Sequence, residues 1–328
     1  MDTFQAYLVE GSAARTTARF ATLQDADLDP GEVTLRVTYA SINYKDALAA
    51  TGKGPIIKRF PCVGGIDAVG IVEASTDARF KPGDSAIAHS HGFGVSQHGG
   101  YAQRARAPAD WVSRVPEGMS PLEAITIGVA GYTAALAIDL CELNGLRPDR
   151  GKVLVNGATG GVASVAIDLL AQRGFHVVAA TRKPDETGYL KALGAAEVVD
   201  AATLAVGDRP LERATWQGAI DSLGGEPLSA LTRTTRKDGV IASIGNAAGL
   251  DFTTSVMPFI LRGVRLIGVN SDNEPELRAR LWQRLASDLR PRHLAAVANV
   301  QAFSALPKLM EAVIAGRVRG RTIIELPR

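Results

Sequence analysis

A glycine-rich turn in the second half of the chain contains residue types that could hold a phosphate group. The stretch VNGATGGVAS, residues 155–164, follows the apolar run KVLVN and precedes apolar residues at the spacing of one helix face. Glycines between a strand and a helix let backbone amides and the positive helix end approach a pyrophosphate. Ala163 stands where a third glycine often packs. The pattern predicts a dinucleotide site, and the alternative is a tight turn without a ligand. The predicted cofactor-binding residues of this turn are Thr159, Gly160, Gly161 and Val162.

The next apolar run, HVVAATRKPD, ends in a basic tip. An NAD site usually places an acidic residue there, where it accepts the ribose hydroxyls. This chain has Thr181, Arg182 and Lys183 instead. Two cations and a hydroxyl suit the 2′-phosphate of NADP, so we predict NADPH as the cofactor. The alternative is a solvated basic loop.

Three histidines in a glycine-rich loop are a further candidate. The loop AIAHSHGFGVSQHGGYAQ contains His89, His91 and His98. His89 and His91 would point the same way on a strand and could bind a metal, although no acid or thiol stands close by. We favour the alternative that the loop lines the substrate mouth, and we expect no metal.

The composition argues against several classes of protein. The chain has 328 residues, 46% of them hydrophobic, a length that favours two domains. A formal net charge of +2 gives no sign of a nucleic-acid or membrane-surface partner. Two distant cysteines suit a reducing cytoplasm, and MDTFQAYLVEGS does not have the pattern of a signal peptide. The longest uncharged stretch, residues 124–138, is shorter than the ~20 residues that span a membrane.

Two kinds of strand pattern divide the chain. Up to about Pro116, segments such as VTLRVTYA alternate apolar and polar residues between turns such as DPGE and KPGD. From Lys152, six continuous apolar runs alternate with helical stretches, as in a parallel sheet covered by helices on both faces. We therefore predict an α/β protein with a β-rich, partly open barrel domain and a doubly wound, parallel-sheet (Rossmann) domain.

The domain boundaries follow from these patterns. SPLEAITIGVAGYTAALAIDL predicts a helix that Ser120 and Glu123 cap reciprocally. We expect the final strand, RTIIEL, to return to the first domain. The predicted domains are residues 1–120 with 300–328, and the NADP-binding residues 121–299.

This organisation resembles the medium-chain dehydrogenase/reductase superfamily, with its chaperonin-10-like first domain. More narrowly, the chain resembles the acrylyl-CoA reductases, once labelled quinone oxidoreductases. The strings that carry this resemblance run from the first domain to the last residues, and two departures stand out, at Ala163 and in the loop around Asn246. They are SINYKDALAATGKGPIIKRFP, GGIDAVG, DSLGG, VMPFILRGVRLIGVNS and GRVRGRTIIEL.

Many members of the superfamily hold a catalytic zinc through an early cysteine and the histidine of a Gly-His-Glu motif. The matching stretches here read SINYKDAL and GGIDAVG, with Ile66-Asp67 in place of His-Glu. Zinc needs three or four suitable ligands, so the resemblance is to the zinc-free branch.

The resemblance implies NADPH-dependent reduction of acrylyl-CoA, a short 2-enoyl-CoA, to propionyl-CoA by hydride transfer to the β-carbon. Such a site needs hydrogen-bond donors for the enolate oxygen and a proton for the α-carbon. The resemblance places Asn43 and Tyr44 at the nicotinamide as catalytic candidates, with Tyr44 holding the cofactor or donating the proton. The alternative for Tyr44 is an aromatic residue packed at the domain junction, and Asp46 is expected to be structural.

Four further residues are expected to contact the cofactor. Thr133 would bond near the nicotinamide amide, or alternatively its own helix backbone. Ile244 and Ser271 follow strands at the carboxyl edge of the sheet, where such sheets bind ligands. Arg321 would contact a phosphate of the cofactor or of CoA, or else lie on the surface.

Two other functions remain open. The first is an NADPH:quinone oxidoreductase with the same fold, and the second is an NADPH-binding protein without catalysis. The family and base rates favour a homodimer. The sequence leaves open the acyl chain length, the proton donor and the arginines that meet the CoA phosphates.

Overall fold

The computed structural model describes residues 3–12 and 15–327, which fold into two compact units. One comprises Met1–Ala130, Ser271–Asp288 and Leu294–Arg328, and the other Gly131–Asn270 with Leu289–His293. These limits differ from the predicted 1–120 with 300–328 and 121–299. Residues up to 130 join the first unit because the Val129 amide donates to Asp67 at 2.9 Å. Residues 271–288 join it because Arg278 and Trp282 pack on His89.

The described residues form sixteen strands and nine α-helices. The strands are β1 Thr3–Ser12, β2 Arg15–Gln24, β3 Val33–Ile42, β4 Cys62–Val63, β5 Asp67–Ser75, β6 Ser85–His89, β7 Arg104–Ala107, β8 Val112–Arg114, β9 Lys152–Val155, β10 His176–Thr181, β11 Glu197–Asp200, β12 Trp216–Asp221, β13 Thr235–Ser243, β14 Arg265–Gly268, β15 Ala298–Ala302 and β16 Arg321–Glu325. The helices are α1 Tyr44–Thr51, α2 Pro121–Leu143, α3 Gly161–Gln172, α4 Thr187–Ala192, α5 Gly225–Thr234, α6 Met257–Arg262, α7 Pro275–Ala286, α8 Leu294–Val297 and α9 Leu306–Ile314.

The first unit is built on two sheets. One runs β15-β16-β3-β5-β6-β8, with β7 also paired to β3, and the other runs β2-β1-β4. In β3, Val33, Leu35 and Val37 are buried in alternation with more exposed residues, as its sequence predicts. The last strand, β16, pairs antiparallel with β3, so the predicted return of the chain to the first domain is confirmed.

The second unit contains a parallel sheet. Its six strands run in the order β11-β10-β9-β12-β13-β14, which is the doubly wound arrangement predicted from the six apolar runs. The pairings are all parallel. Residues such as Val153, Val155 and Ile241 are wholly buried, as strands covered on both faces require.

Helix α2 begins as the sequence predicts and then breaks. The Glu123 amide donates to Ser120 Oγ at 3.2 Å, and the Ser120 amide donates to Glu123 Oε2 at 2.8 Å. Gly128, at φ 49° and ψ −160°, interrupts the helical backbone. Among the described residues, α2 is the one helix long and apolar enough to cross a membrane, contrary to the shorter span expected, and 94% of its apolar window is buried within the protein.

Candidate active site

The glycine turn of the second unit joins β9 to α3 as predicted. Gly160 is the N-cap of α3 and has an extended backbone, and Gly157 has a positive φ of 57°. A Cβ built on Gly160 would meet one atom within 4 Å, the Gly157 carbonyl oxygen at 3.2 Å. Thr159 is buried, whereas Gly160, Gly161 and Val162 are half-buried. The glycines thus leave space beside the first amides of α3, where a phosphate can be bound.

A buried polar pair that the sequence did not reveal organises the neighbouring strand ends. Asn156 follows β9 and donates from Nδ2 to Asp221 Oδ1, at the end of β12, at 2.5 Å. Asp221 Oδ2 accepts from the Gly224 amide at 3.1 Å, and its carbonyl accepts from the Ile244 amide at 2.8 Å. Burial raises the pKa of Asp221, although the bond from Asn156 opposes this shift. The loop that contains Ile244, a predicted cofactor contact, is therefore tied to the end of β12.

The basic tip lies at the end of β10. Thr181 is buried, and its Oγ1 accepts from the Lys183 amide at 3.0 Å. Arg182 is exposed and Lys183 is half-buried. Burial lowers the pKa of Lys183, an effect that Glu186 opposes and Arg182 reinforces. The two cations directly follow β10, which pairs with β9, the strand before the glycine turn. This is the arrangement predicted for them.

The catalytic candidates of the first unit lie at the start of α1. Asn43 is the N-cap, and its amide N–H donates to Asp46 Oδ2 at 2.9 Å. Asp46 Oδ1 accepts from the Ile66 amide at 2.9 Å, which confirms its structural, capping role. Tyr44, the first residue of the helix, is 39% exposed. Its exposed side chain agrees with a binding or proton-donating role.

Arg321 lies inside the first unit rather than on its surface. It is 2% exposed, so the surface alternative is wrong. Its guanidinium donates to Asn43 Oδ1 at 2.8 Å, to Asp67 Oδ2 at 3.2 Å and to Ser41 Oγ. A direct contact with a phosphate would cost the guanidinium one of these acceptors. The structure therefore joins Arg321 to Asn43, the residue before Tyr44, and the partners of its guanidinium are protein groups.

The histidine loop does not have the geometry expected of it. Strand β6 ends at His89, and Ser90 and His91 have positive φ values of 71° and 53°, so the prediction that His89 and His91 point the same way along a strand is wrong. His89 is wholly buried and contacts the Arg278 guanidinium, so it does not line an open mouth. Burial, together with the charge of Arg278, holds the pKa of His89 well below its usual value.

The other two histidines have separate surroundings. His91 stacks on Trp111 with ring centroids 5.5 Å apart. His98 Nδ1 accepts from the Val63 amide at 2.9 Å. Residues 3–12 and 15–327 contain no group of three or more acidic, histidine or cysteine side chains that could hold a metal ion.

Two remaining candidates lie in different units. Thr133, in α2, is buried and belongs to the second unit. Ser271 was expected beside the end of β14, but the structure groups it with the first unit, where its Oγ accepts from Ser90 Oγ at 3.2 Å. The second unit therefore brings together the glycine turn, the basic tip and Ile244 along one sheet edge. The first unit brings together Asn43, Tyr44 and Arg321.

Two protein-family models match the chain. A model described as "Alcohol dehydrogenase GroES-like domain" matches residues 29–117, and one described as "Zinc-binding dehydrogenase" matches residues 161–287. The zinc in that description does not fit this chain. Burial raises the pKa of both thiols, Cys62 and Cys141, to about 12, and Asp67 is paired with Arg321. The residues present therefore do not fit a catalytic zinc.

Relatives cover nearly the whole chain. "Probable acrylyl-CoA reductase AcuI" of Escherichia coli (strain K12) is 42% identical over 98% of this chain and 99% of its own length. "Putative quinone oxidoreductase YhfP" of Bacillus subtilis (strain 168) is 40% identical, with the same two coverages. The crystal structure of the Salmonella enterica yhdH oxidoreductase in complex with NADP is 41% identical with a TM-score of 0.95, covering 98% of this chain and 100% of that one. The structure of Bacillus subtilis yhfP, with NAD bound, is 38% identical with a TM-score of 0.94, covering 99% and 100%.

Proposed function

This chain belongs to the medium-chain dehydrogenase/reductase superfamily, in the family that includes the acrylyl-CoA reductases, and from that membership we propose that it reduces acrylyl-CoA to propionyl-CoA with NADPH. The oxidoreductase class follows from the family. The substrate is supported by two relatives named acrylyl-CoA reductase, which are 42% and 39% identical to this chain. A short 2-enoyl-CoA is thus the substrate class that we assign.

The observation that carries the cofactor proposal is the pair of features along the sheet edge of the second unit. The glycine turn leaves space beside the first amides of α3, which suits a pyrophosphate. Arg182 and Lys183 occupy the strand tip where an NAD site would have an acidic residue. A yhdH structure holds NADP and the yhfP structure holds NAD. Because the family includes both cases, the basic tip is the feature that favours NADPH here.

The chain's own residues would orient and protonate the substrate. Bound NADPH would supply the hydride. Tyr44 is exposed, and its hydroxyl can donate a proton or a hydrogen bond; the enolate that forms on the thioester oxygen needs such donors. The amide of Asn43 is held between Arg321 and Asp46, so Asn43 is fixed in place beside Tyr44.

A quinone is the second candidate substrate. The relative named "Putative quinone oxidoreductase YhfP" is 40% identical over 98% of this chain, nearly as similar as the first acrylyl-CoA reductase. A quinone also accepts a hydride without a metal. The two substrates differ in the CoA moiety, whose phosphates need cationic contacts.

A substrate panel tests the proposal. The purified protein is given NADPH or NADH with acrylyl-CoA, crotonyl-CoA or 1,4-benzoquinone, and cofactor oxidation is followed by absorbance. We expect the highest kcat/KM with NADPH and acrylyl-CoA, and at least about tenfold less with NADH, which corresponds to ~1.4 kcal/mol. A higher kcat/KM with the quinone would favour the second candidate. NADPH binding without reduction of any compound would mean a protein that binds the cofactor without catalysis.

We further propose that the protein acts as a homodimer in the cytoplasm, without a nucleic-acid or membrane partner. Its near-neutral formal charge of +2 supports the proposal that it has no nucleic-acid or membrane partner. Both cysteines are free and buried, which suits a reducing compartment.

A further inference from the structure

A buried ion pair lies in the first unit, directly beside the start of α1. Asp67 and Arg321 are 0% and 2% exposed, and Asp67 Oδ2 lies 3.2 Å from Arg321 Nη2. Burial removes the hydration of both charges, so well-packed apolar residues are often as stable as such a pair. Stability alone therefore does not explain the pair, and its charged groups differ from apolar side chains in forming directional hydrogen bonds.

The pair is held by further hydrogen bonds from β3 and α2. Asp67 Oδ1 accepts from the Ser41 amide at 3.2 Å and from Ser41 Oγ at 2.5 Å. Asp67 Oδ2 accepts from the Val129 amide at 2.9 Å. Arg321 Nε donates to the Thr126 carbonyl at 3.1 Å. These bonds fix the plane of the guanidinium and hence the direction of its remaining nitrogen, Nη1.

That remaining nitrogen reaches Asn43. Arg321 Nη1 donates to Asn43 Oδ1 at 2.8 Å, and Asn43 Nδ2 donates to Asp46 Oδ2 at 3.1 Å. Both ends of the Asn43 amide are thereby occupied. Asn43 is the N-cap of α1, and Tyr44 is its first residue. The orientation of Asn43 sets where the chain enters α1 and where Tyr44 begins.

An N-cap needs only local partners, and Asp46 already supplies them. The contact from Arg321 comes from the far end of the chain, because β16 pairs with β3 in a register that sets Thr322 opposite Ile42. The stretches SINYKDAL and GGIDAVG both contact Arg321 here. Because the local cap from Asp46 is already sufficient, the long-range contact from Arg321 indicates that Arg321 positions Asn43.

We propose that Arg321 is a positioning residue: anchored by Asp67, it holds Asn43 and thereby fixes the start of α1 and the place of Tyr44 for reaction. The part of this inference that concerns reaction rate rests on the proposed function. The geometric part, the fixing of the first turn of α1, concerns the protein alone. Each part has its own measurement.

The geometric part is tested by hydrogen–deuterium exchange of the full-length protein without cofactor. Arg321→Lys keeps the charge that pairs with Asp67 but removes the planar fork that reaches Asn43. Asn43→Ser keeps an N-cap of similar quality and removes the acceptor for Arg321, together with the Nδ2 donor to Asp46. We expect both variants to exchange faster at residues 43–47 than the wild type. The control is Arg233→Lys, a buried arginine of the second unit that is paired with Glu226, and it should leave residues 43–47 unchanged.

The kinetic part is tested by a double-mutant cycle. kcat is measured per NADPH-binding site, so that a loss of folded protein does not count as a loss of rate. We expect Arg321→Lys and Asn43→Ser each to lower kcat by about 10- to 100-fold, with NADPH affinity within about threefold of the wild type. If Arg321 acts through Asn43, the double variant is no slower than the slower single variant.

The outcomes separate the two proposals. Unchanged exchange at residues 43–47 in Asn43→Ser overturns the inference even if Arg321→Lys does not fold. Fully multiplicative losses of kcat also overturn it, as does an equal loss in Arg233→Lys. If the wild type reduces none of the substrates in the panel, the proposed function fails. The exchange result then decides the geometric part alone.

Discussion

At the scale of single residues, the charge at the tip of β10 governs the choice between two cofactors that differ by one phosphate. Arg182 is exposed there. We predict that Arg182→Glu weakens NADPH binding by about 1–3 kcal/mol, because it removes a charged hydrogen bond to the 2′-phosphate, and leaves NADH binding nearly unchanged. Fluorescence titration of both cofactors measures the two affinities.

The matched control for this prediction is Arg213→Glu, another exposed arginine of the second unit. It changes the net charge of the protein equally but should leave NADPH affinity unchanged. Equal losses in both variants would show that overall charge acts on the cofactor and would contradict a specific role for Arg182.

A second prediction at this scale concerns Asp46 and pH. Burial, reinforced by the charge of Asp67, raises the pKa of Asp46 from 3.8 to about 7, against the lowering effect of its bonds from Asn43 and Ile66. The folded state therefore holds this proton more tightly than the unfolded chain. The contribution of Asp46 to the free energy of unfolding falls as pH rises from about 4 to about 7, and it is constant above.

We predict that Asp46→Asn flattens this part of the stability profile. Urea unfolding at a series of pH values measures it, and the exposed Asp251→Asn is the control that should retain the slope. A slope unchanged by Asp46→Asn would show that other groups cause the pH dependence. At pH 8, Asp46→Asn removes a buried charge, which raises the free energy of unfolding. The neutral side chain also weakens the cap of α1, and this partly offsets the gain.

At the scale of elements, the sequence predicted what local patterns determine. Apolar runs gave the strands β9 to β14 and their parallel sheet, and Ser120 with Glu123 gave the start of α2. The break in α2 was missed, because the reason for it lies elsewhere in the chain. Gly128 lies against Asp67 and Arg321, residues that no local pattern connects to a helix. The burial of Arg321 was missed for the same reason.

This break leads to a prediction about Gly128. A Cβ there would come within 2.5 Å of Asp67 Oδ2 and 2.6 Å of Arg321 Nη2, at a positive φ of 49°. We expect Gly128→Ala to lower the free energy of unfolding by about 2–4 kcal/mol. The control is Gly118→Ala, whose φ is 75° but whose Cβ would meet nothing within 4 Å. Its cost should be limited to backbone strain, about 1 kcal/mol. If urea unfolding showed the same loss of free energy of unfolding for Gly128→Ala and Gly118→Ala, a role for the ion pair would be contradicted.

At the scale of the whole molecule, the second unit presents an edge that suits a second copy of the chain. Strand β14 ends the parallel sheet and, within residues 3–12 and 15–327, pairs only with β13. An unpaired edge can pair with the same edge of another copy about a two-fold axis. The helix before it, α6, exposes Ile260 and Leu261 by 68% and 58%, and Val256 beside it is exposed by 66%. Apolar side chains next to a pairing edge are typical of a dimer contact.

We therefore predict that Ile260→Lys converts the proposed homodimer into a monomer. A charge buried at the centre of such a contact costs about 2–4 kcal/mol, which would weaken association by about 30- to 1,000-fold. Light scattering after size-exclusion chromatography measures the mass, and circular dichroism checks the fold. Leu143→Lys, at a side chain 73% exposed on α2, is the matched control and should remain dimeric. A wild-type monomer would contradict the proposed homodimer, and a dimer that survives Ile260→Lys while Leu143→Lys dissociates would place the contact elsewhere.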